Sequence, residues 1–338
     1  MRAHGWWILL LSLQACGGGA SSAPPPSDPP PDEPPPPASS DEAAAAPSYE
    51  VHEWGLIDVD ASGAVEVAAG PGRPQPAISV RKPVLYVRLD DGLDTMRFAA
   101  RVQIPGGTIV EHWPAGQLSG DVLEWPAVEA GPCAPTAARE TPRDRVMQRA
   151  CDTPDGYCEV FDLPGYVADG SACLDVGGVD ATLLFYRGAL AAVTLPYRVS
   201  RSGDAVVVEA ARDLPAPVGE LWRIRHDAGG SAVTRVAAPT SGSATLAAPT
   251  AVDANARARL AADLATLGLT GPEAEAFLRA WTDALFGPDL EATARRSARA
   301  REELLYWLPR EDVDRIAPLT LTPAPRALRR AILVRVAL

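Results

Sequence analysis

The chain has 338 residues, of which 47% are hydrophobic and 22% charged, with a net charge of −12. These values fit a globular body and exclude a multi-span membrane protein, a coiled coil and a wholly disordered chain. The acidic balance argues against nucleic acid as a partner, and 34 prolines with 28 glycines predict many turns and few long helices.

The chain opens with Arg2 and a short apolar run, Trp6-Trp7-Ile8-Leu9-Leu10-Leu11-Ser12-Leu13. A spanning helix needs about 20 apolar residues, so the run reads as the core of a signal peptide over residues 1–15. It ends Leu13-Gln14-Ala15-Cys16, which resembles the lipobox of bacterial lipoproteins. That resemblance implies cleavage before Cys16 and acylation of Cys16, with the lipid bilayer as a partner. Residues 17–48 hold Gly, Ser, Ala and Pro with five acids and no base. Such a segment buries too little to fold. Its proline runs at 24–26, 29–31 and 34–37 favour an extended spacer of roughly 3.1 Å per residue. Gly17 stands where, by the same resemblance, an Asp favours retention in the inner membrane. The expected location is therefore the cell envelope, on the outer membrane of a Gram-negative bacterium.

Residues 49–250 read as β. Strands are predicted at 50–59, 64–68, 78–89, 96–104, 107–113, 182–187, 191–199, 204–210, 219–226 and 231–236, separated by Gly, Pro and Asp clusters. Pro105-Gly106-Gly107 and Asp227-Ala228-Gly229-Gly230 are hairpin turns. Residues 128–180 lack periodicity and read as an insertion. From residue 251 the character changes. Leu260, Leu264 and Leu267 recur at helical spacing before Gly268. Thr270-Gly271-Pro272-Glu273 fits a capping box, and Phe277, Trp281 and Leu285 line one face of the helix it starts. Asp289 can cap a third helix reaching about Arg301. Leu304–Leu308 is strand-like, Asp312–Ile316 a helical turn and Arg330–Leu338 a strand. The expected class is α+β, mainly β: an antiparallel sandwich or irregular barrel with a C-terminal helix-rich segment, 251–338, packed on it.

Apart from Cys16, four cysteines remain, Cys133, Cys151, Cys158 and Cys173. An even number in an exported chain reads as disulfides. Of the three pairings, moderate loop lengths favour Cys133–Cys151 with Cys158–Cys173. The gaps contain no CxxC, so zinc spacing fails. Residues 151–159 look like a calcium loop, but counting back from Gly156 finds one acid, Asp155, where three are needed. A disulfide-tied turn is the better reading.

His52-Glu53-Trp54-Gly55, Arg81-Lys82-Pro83-Val84-Leu85-Tyr86, Ile104-Pro105-Gly106-Gly107 with Glu111, and Leu184-Phe185-Tyr186-Arg187-Gly188 occur in this order. Trp281, Leu305-Tyr306 with Pro309-Arg310, and Pro318-Leu319-Thr320-Leu321-Thr322-Pro323 follow. Together they resemble a bacterial family of exported proteins that begin with a His-Glu-Trp-Gly motif and have no assigned activity. The resemblance implies a shared fold and no chemistry. It departs at His112, where the family has an aromatic residue.

The usual catalytic motifs are absent: no GxSxG, HExxH, GxxxxGK or GxGxxG. Ser79-Val80-Arg81-Lys82 matches SxxK in letters, but on a strand residues three apart face opposite ways. Glu111 with Trp113 and Glu220 with Trp222 are each two apart, so each pair shares a sheet face. A carboxylate against an indole is partly desolvated, which raises its pKa and suits a general acid for glycoside hydrolysis, or a sugar platform. The plainer reading is a core Trp beside a marginal Glu. His52, Glu53, Glu111 and His112 would approach a metal only if their strands were neighbours, and alternation splits each pair between faces, so no metal or cofactor is expected. Arg295, Arg296 and Arg299, and again Arg326, Arg329 and Arg330, share a spacing that fits anionic headgroups or, more simply, a solvated face paired with Glu302, Glu303 and Asp312.

The sequence thus reads as a membrane-anchored envelope lipoprotein whose body is a non-enzymatic binding or structural module, with an envelope glycan or protein as partner. The alternative is a carbohydrate-active hydrolase using Glu111 and Glu220. The separation of those two carboxylates discriminates the readings. The His-Glu-Trp-Gly motif is expected to be structural, with His52, Trp54 and Leu56 on the buried face and Glu53 opposite.

Overall fold

A computed structural model describes residues 48–59, 78–133, 159–190, 193–216, 218–227, 230–287 and 302–338. The signal, lipobox and tether, the expected strand 64–68, Cys151, Cys158 and the expected helix after Asp289 with Arg295, Arg296 and Arg299 lie outside the described residues.

In chain order the strands are β1 (Tyr49–Val59), β2 (Ile78–Leu89), β3 (Met96–Gln103), β4 (Gly107–Trp113), β5 (Gln117–Ser119) and β6 (Val122–Gly131). A 3-10 helix (Glu159–Tyr166) precedes β7 (Cys173–Asp175), β8 (Asp180–Ala181), β9 (Leu184–Leu190), β10 (Tyr197–Ser202) and β11 (Ala205–Ala210). Then come β12 (Glu220–Asp227), β13 (Gly230–Ala237), β14 (Ser243–Leu246), α1 (Ala256–Thr266) and α2 (Gly271–Phe286). The chain closes with β15 (Glu302–Trp307), α3 (Arg310–Ile316), β16 (Leu319–Thr322) and β17 (Ala327–Ala337).

β1 buries both sets of its alternating side chains, which requires layers on both sides of it. It lies inside an eight-stranded sheet of order β13-β12-β15-β17-β1-β2-β9-β4. β1 runs parallel to β17, and its other neighbour β2 is antiparallel. One face of this sheet, with Val51, Ile57, Leu85 and Val334, packs on Phe98, Trp125 and Leu174 of a second sheet, β16-β3-β6-β7-β8 with β5 on β6. The same core takes Val206, Val208 and Leu246 from a third sheet, β10-β11-β14. The opposite face, with Trp54, Tyr86, Trp222 and Leu333, is covered by Leu260 and Leu264 of α1, Phe277 and Trp281 of α2, and Tyr166. The result is a mainly β sandwich with a helical third layer, in the expected class.

The local signals act as their chemistry demands. Gly268 (φ 91°) ends α1, and the Leu269 N–H returns to the Leu264 carbonyl, closing a Schellman turn. The Glu273 carboxylate accepts the Thr270 N–H at 2.8 Å, one half of the expected capping box. The segment 251–338 is more than a helical attachment, because β15 and β17 are interior strands of the central sheet.

The favoured disulfides are not those formed. The structure joins Cys133 to Cys173, with Cα atoms 4.9 Å apart. Loop length pointed to near partners, but β6 and β7 pair with Gly131 opposite Cys173, and that ladder delivers Cys133 to its distant partner. The same pairing draws both ends of the expected insertion 128–180 into the second sheet.

Candidate functional site

The polar chemistry of the body gathers on the central sheet, and β1 carries it on both faces. Toward the sandwich, Glu53 is fully buried. It accepts hydrogen bonds from the Tyr186 hydroxyl at 2.7 Å and from Nε of Arg330. Arg330 continues to Asp314 at 2.9 Å and to the Ala317 carbonyl at 2.8 Å. Burial, reinforced by the Glu53 charge, raises the Tyr186 hydroxyl pKa well above its ordinary value. The expectation that Glu53 faces away from the core is therefore corrected: β1 is an inner strand of an inner layer, so its second face is also sealed. Arg330 likewise belongs to no solvated basic face.

Toward the helices, Nδ1 of His52 meets Glu273 at 2.8 Å and Nε2 meets Glu50 at 3.1 Å. Burial opposes ionisation of Glu273, yet His52 and the Thr270 N–H outweigh it and hold its pKa below the usual range. Trp54 donates to the Tyr86 hydroxyl at 3.2 Å, and Tyr86 donates to the Tyr166 carbonyl at 2.5 Å. A Cβ on Gly55 would lie 3.1 Å from Pro83 Cα, so glycine admits the irregular register between β1 and β2 there.

A second polar row crosses the helix-covered face at the Val59 end of β1. Ser231 Oγ lies 2.8 Å from Nδ1 of His226, and Nε2 of His226 lies 3.1 Å from Glu303. Arg335 binds Asp58 at 2.5 Å, and Arg81 meets the same carboxylate at 3.2 Å while lying 5.6 Å from the Trp281 ring centre. Burial disfavours the Asp58 charge, but Arg335 and Arg81 prevail and lower its pKa. Ser231, His226 and Glu303 have the composition of a hydrolytic triad. In that device the serine meets Nε2 and the carboxylate Nδ1. Here the nitrogens are exchanged, and all three residues are at most 4% exposed. The row clamps β12, β13 and β15 together. Its hairpin half was legible, since the expected turn after Asp227 sets His226 opposite Ser231. Glu303 was not.

The sequence-derived candidates do not converge. β4 and β12 are six strand positions apart in the central sheet, which at about 4.8 Å per strand separates Glu111 and Glu220 by on the order of 25–30 Å. Glu111 is buried against Arg187 at 3.3 Å, and Glu220 pairs with Arg235 at 2.6 Å. Trp113 and Trp222 are both buried, so neither offers a sugar platform. Arg235 lies over the Trp222 ring at 5.3 Å. β2 and β9 stand between β1 and β4, which keeps Glu111 and His112 away from His52 and Glu53. Among the described residues no group of three or more His, Cys, Asp or Glu side chains is placed to hold a metal. The expected basic set also dissolves. Arg326 pairs with Glu50 and Asp90, Glu302 with Arg201 and Arg223, and Asp312 with Arg212 and Arg315.

An accessible groove among the described residues lies elsewhere. A groove of about 550 Å³ runs beside β10, walled on its other side by Val59, residues 193–195 and residues 336–338. Five successive β10 residues, Tyr197 to Arg201, line it. Side chains along a strand alternate between faces, so a lining by consecutive residues means that the groove follows the backbone edge. No acidic side chain lines it, whereas Arg198 and Arg201 do. Comparison with protein-family models and with curated proteins finds no match for the chain.

Proposed function

We propose that this chain is a lipid-anchored protein of the bacterial cell envelope, held on the outer membrane through acylated Cys16, with a body that works as a non-enzymatic binding or structural module. The observation that carries the reading is the order Leu13-Gln14-Ala15-Cys16 directly before an acidic Gly/Ser/Pro segment and a β-rich body. The absence of a helix long and apolar enough to cross a membrane, among the described residues, is compatible with an acyl anchor. The non-enzymatic half is supported by the pairing of Glu53, Glu111 and Glu220 with arginines and by the distance between the two candidate carboxylates. Two acyl chains give stable attachment, at about 0.8 kcal/mol per buried CH₂. Intact-mass measurement of the membrane-extracted protein tests the anchor. Acylated Cys16, and release from membranes in Cys16→Ser, are expected. An unmodified Cys16 in the membrane fraction overturns the reading. A binding screen against envelope glycans, peptidoglycan included, tests whether the partner is a sugar.

A further inference from the structure

We propose that the outer edge of β10 is a docking site for an extended, acidic polypeptide that joins the β10-β11-β14 sheet as a fourth strand. The proposal rests on reading the body as a binding module and gives that module its site and class of partner.

The first support is backbone geometry. β10 is an edge strand. It pairs with β11 across the two-residue turn Gly203-Asp204, with Ser202 opposite Ala205, Ser200 opposite Val207 and Arg198 opposite Glu209. In an antiparallel ladder, hydrogen-bonded pairs alternate with pairs whose N–H and C=O groups point outward. Two bonds fix the phase. The Ala211 N–H binds the Pro196 carbonyl, while the Ala210 N–H, opposite Tyr197, turns away to Gly242. The even-numbered residues of β10 therefore bond to β11, and the amide groups of Tyr197, Val199 and Arg201 face the groove. Main-chain bonds to such an edge provide affinity in strand addition, and flanking pockets provide selectivity.

The second support is charge. In a chain of net −12, the side chains lining this groove include two arginines and no acid. Arg201 is engaged with Glu302 at 2.9 Å. Arg198 is exposed, and among the described residues it forms no ion pair. Its outward charge blocks pairing of β10 with a second β10, which would bring like charges together, and it attracts a strand bearing carboxylates. The apolar wall of Val59, Leu195 and Val336 favours alternate apolar side chains on the incoming strand.

The test uses the full chain with two fluorescein-labelled hexapeptides, Val-Asp-Val-Glu-Val-Asp and Val-Lys-Val-Lys-Val-Lys, read by fluorescence anisotropy and amide hydrogen exchange. The acidic peptide should bind and the basic one should not. Arg198→Glu should weaken the acidic peptide by about tenfold or more and admit the basic one. Bound peptide should slow exchange at Val199 and Arg201 and leave Arg198 and Ser200 unchanged. Equal binding of both peptides, no acidic binding at millimolar peptide, or binding without protection of Val199 and Arg201 would each overturn the proposal. Failure here alongside glycan binding would discard the peptide site and keep the binding module. Failure of both, with an intact acyl anchor, would leave a structural protein.

Discussion

The two faces of the central sheet bury charge in different ways. The sandwich face holds compact, separate clusters: Glu53 with Arg330 and Tyr186, and Arg223 with Glu302 and the carbonyls of Asp204 and Leu246. The helix-covered face spreads its charges: His52 with Glu273 and Glu50 at one end of β1, and the row from Ser231 through His226, Glu303, Arg335 and Asp58 to Arg81 at the other. Two sheets facing each other mate along extended surfaces, so each polar insert must be satisfied by its own partners. On the helix-covered face α2 takes part in both groups: Glu273 in its first turn meets His52, and Trp281 lies against Arg81. Among the described residues the charges of both faces are turned to partners within the body, whereas the β10 edge lines an open groove.

Breaking each face in turn sharpens that comparison. The largest losses should come from the sealed groups of β1. Arg330→Met strands the Glu53 carboxylate in the core and should cost about 3–5 kcal/mol. Trp54→Ala, on the other face, should cost a similar 3–5 kcal/mol or so through the cavity it opens. Denaturant midpoints measure both, and a wild-type midpoint for either would show that its face is not sealed. Cys173→Ser, which opens the link from β6 to β7, should cost about 2–4 kcal/mol in the same assay. An acid titration then compares the helix face with the sheet margin. Asp58, Glu273 and Glu302 are each buried against the charged form, yet cationic or hydrogen-bonding partners hold their pKa values low. A depressed folded pKa adds stability that is present above the unfolded value and disappears as pH falls through the folded one. Midpoints should therefore hold near neutrality and drop on acidification below 4.5, the ordinary value for Glu, and Glu273→Gln should flatten the drop. A slope unchanged by that substitution would remove Glu273 from the account. The smallest effect belongs to Glu220→Gln. Its carboxylate is 42% exposed and paired at the sheet margin, so stability should stay within about 0.5 kcal/mol.

Much of the fold was legible because local chemistry decides it. The strand at Tyr49–Val59, the turn at Gly106, the stop at Gly268 and the capping Glu273 all follow from periodicity, backbone freedom and hydrogen bonding within a few residues. β6 was not expected: Pro126 interrupts the alternation of its first half, and its end falls in the span 128–180 read as an insertion, yet the strand absorbs the proline with a shift of register against β3. The candidate sites were less legible. Glu111 and Glu220 were each placed correctly beside a tryptophan, but the distance between them depends on strand order, which spacing in sequence does not encode.

The sequence by itself determined the mainly β character, the two helices after residue 255, the acidic balance and the order of residues read as an export and acylation signal. These rest on composition and on interactions between near neighbours along the chain. Only the tertiary structure decided which partners meet: Glu53 with Arg330, His52 with Glu273, His226 with Glu303 and Cys133 with Cys173. It also decided that both faces of β1 are inside and that β10 is an edge. The reason is physical. Glu53 meets Arg330 because β17 lies parallel to β1, and His226 meets Glu303 because β15 lies beside β12; the β6–β7 ladder joins Cys133 to Cys173, and the packing of α2 brings Glu273 to His52, all choices made by packing layers around two cores and not by any local preference of the residues themselves.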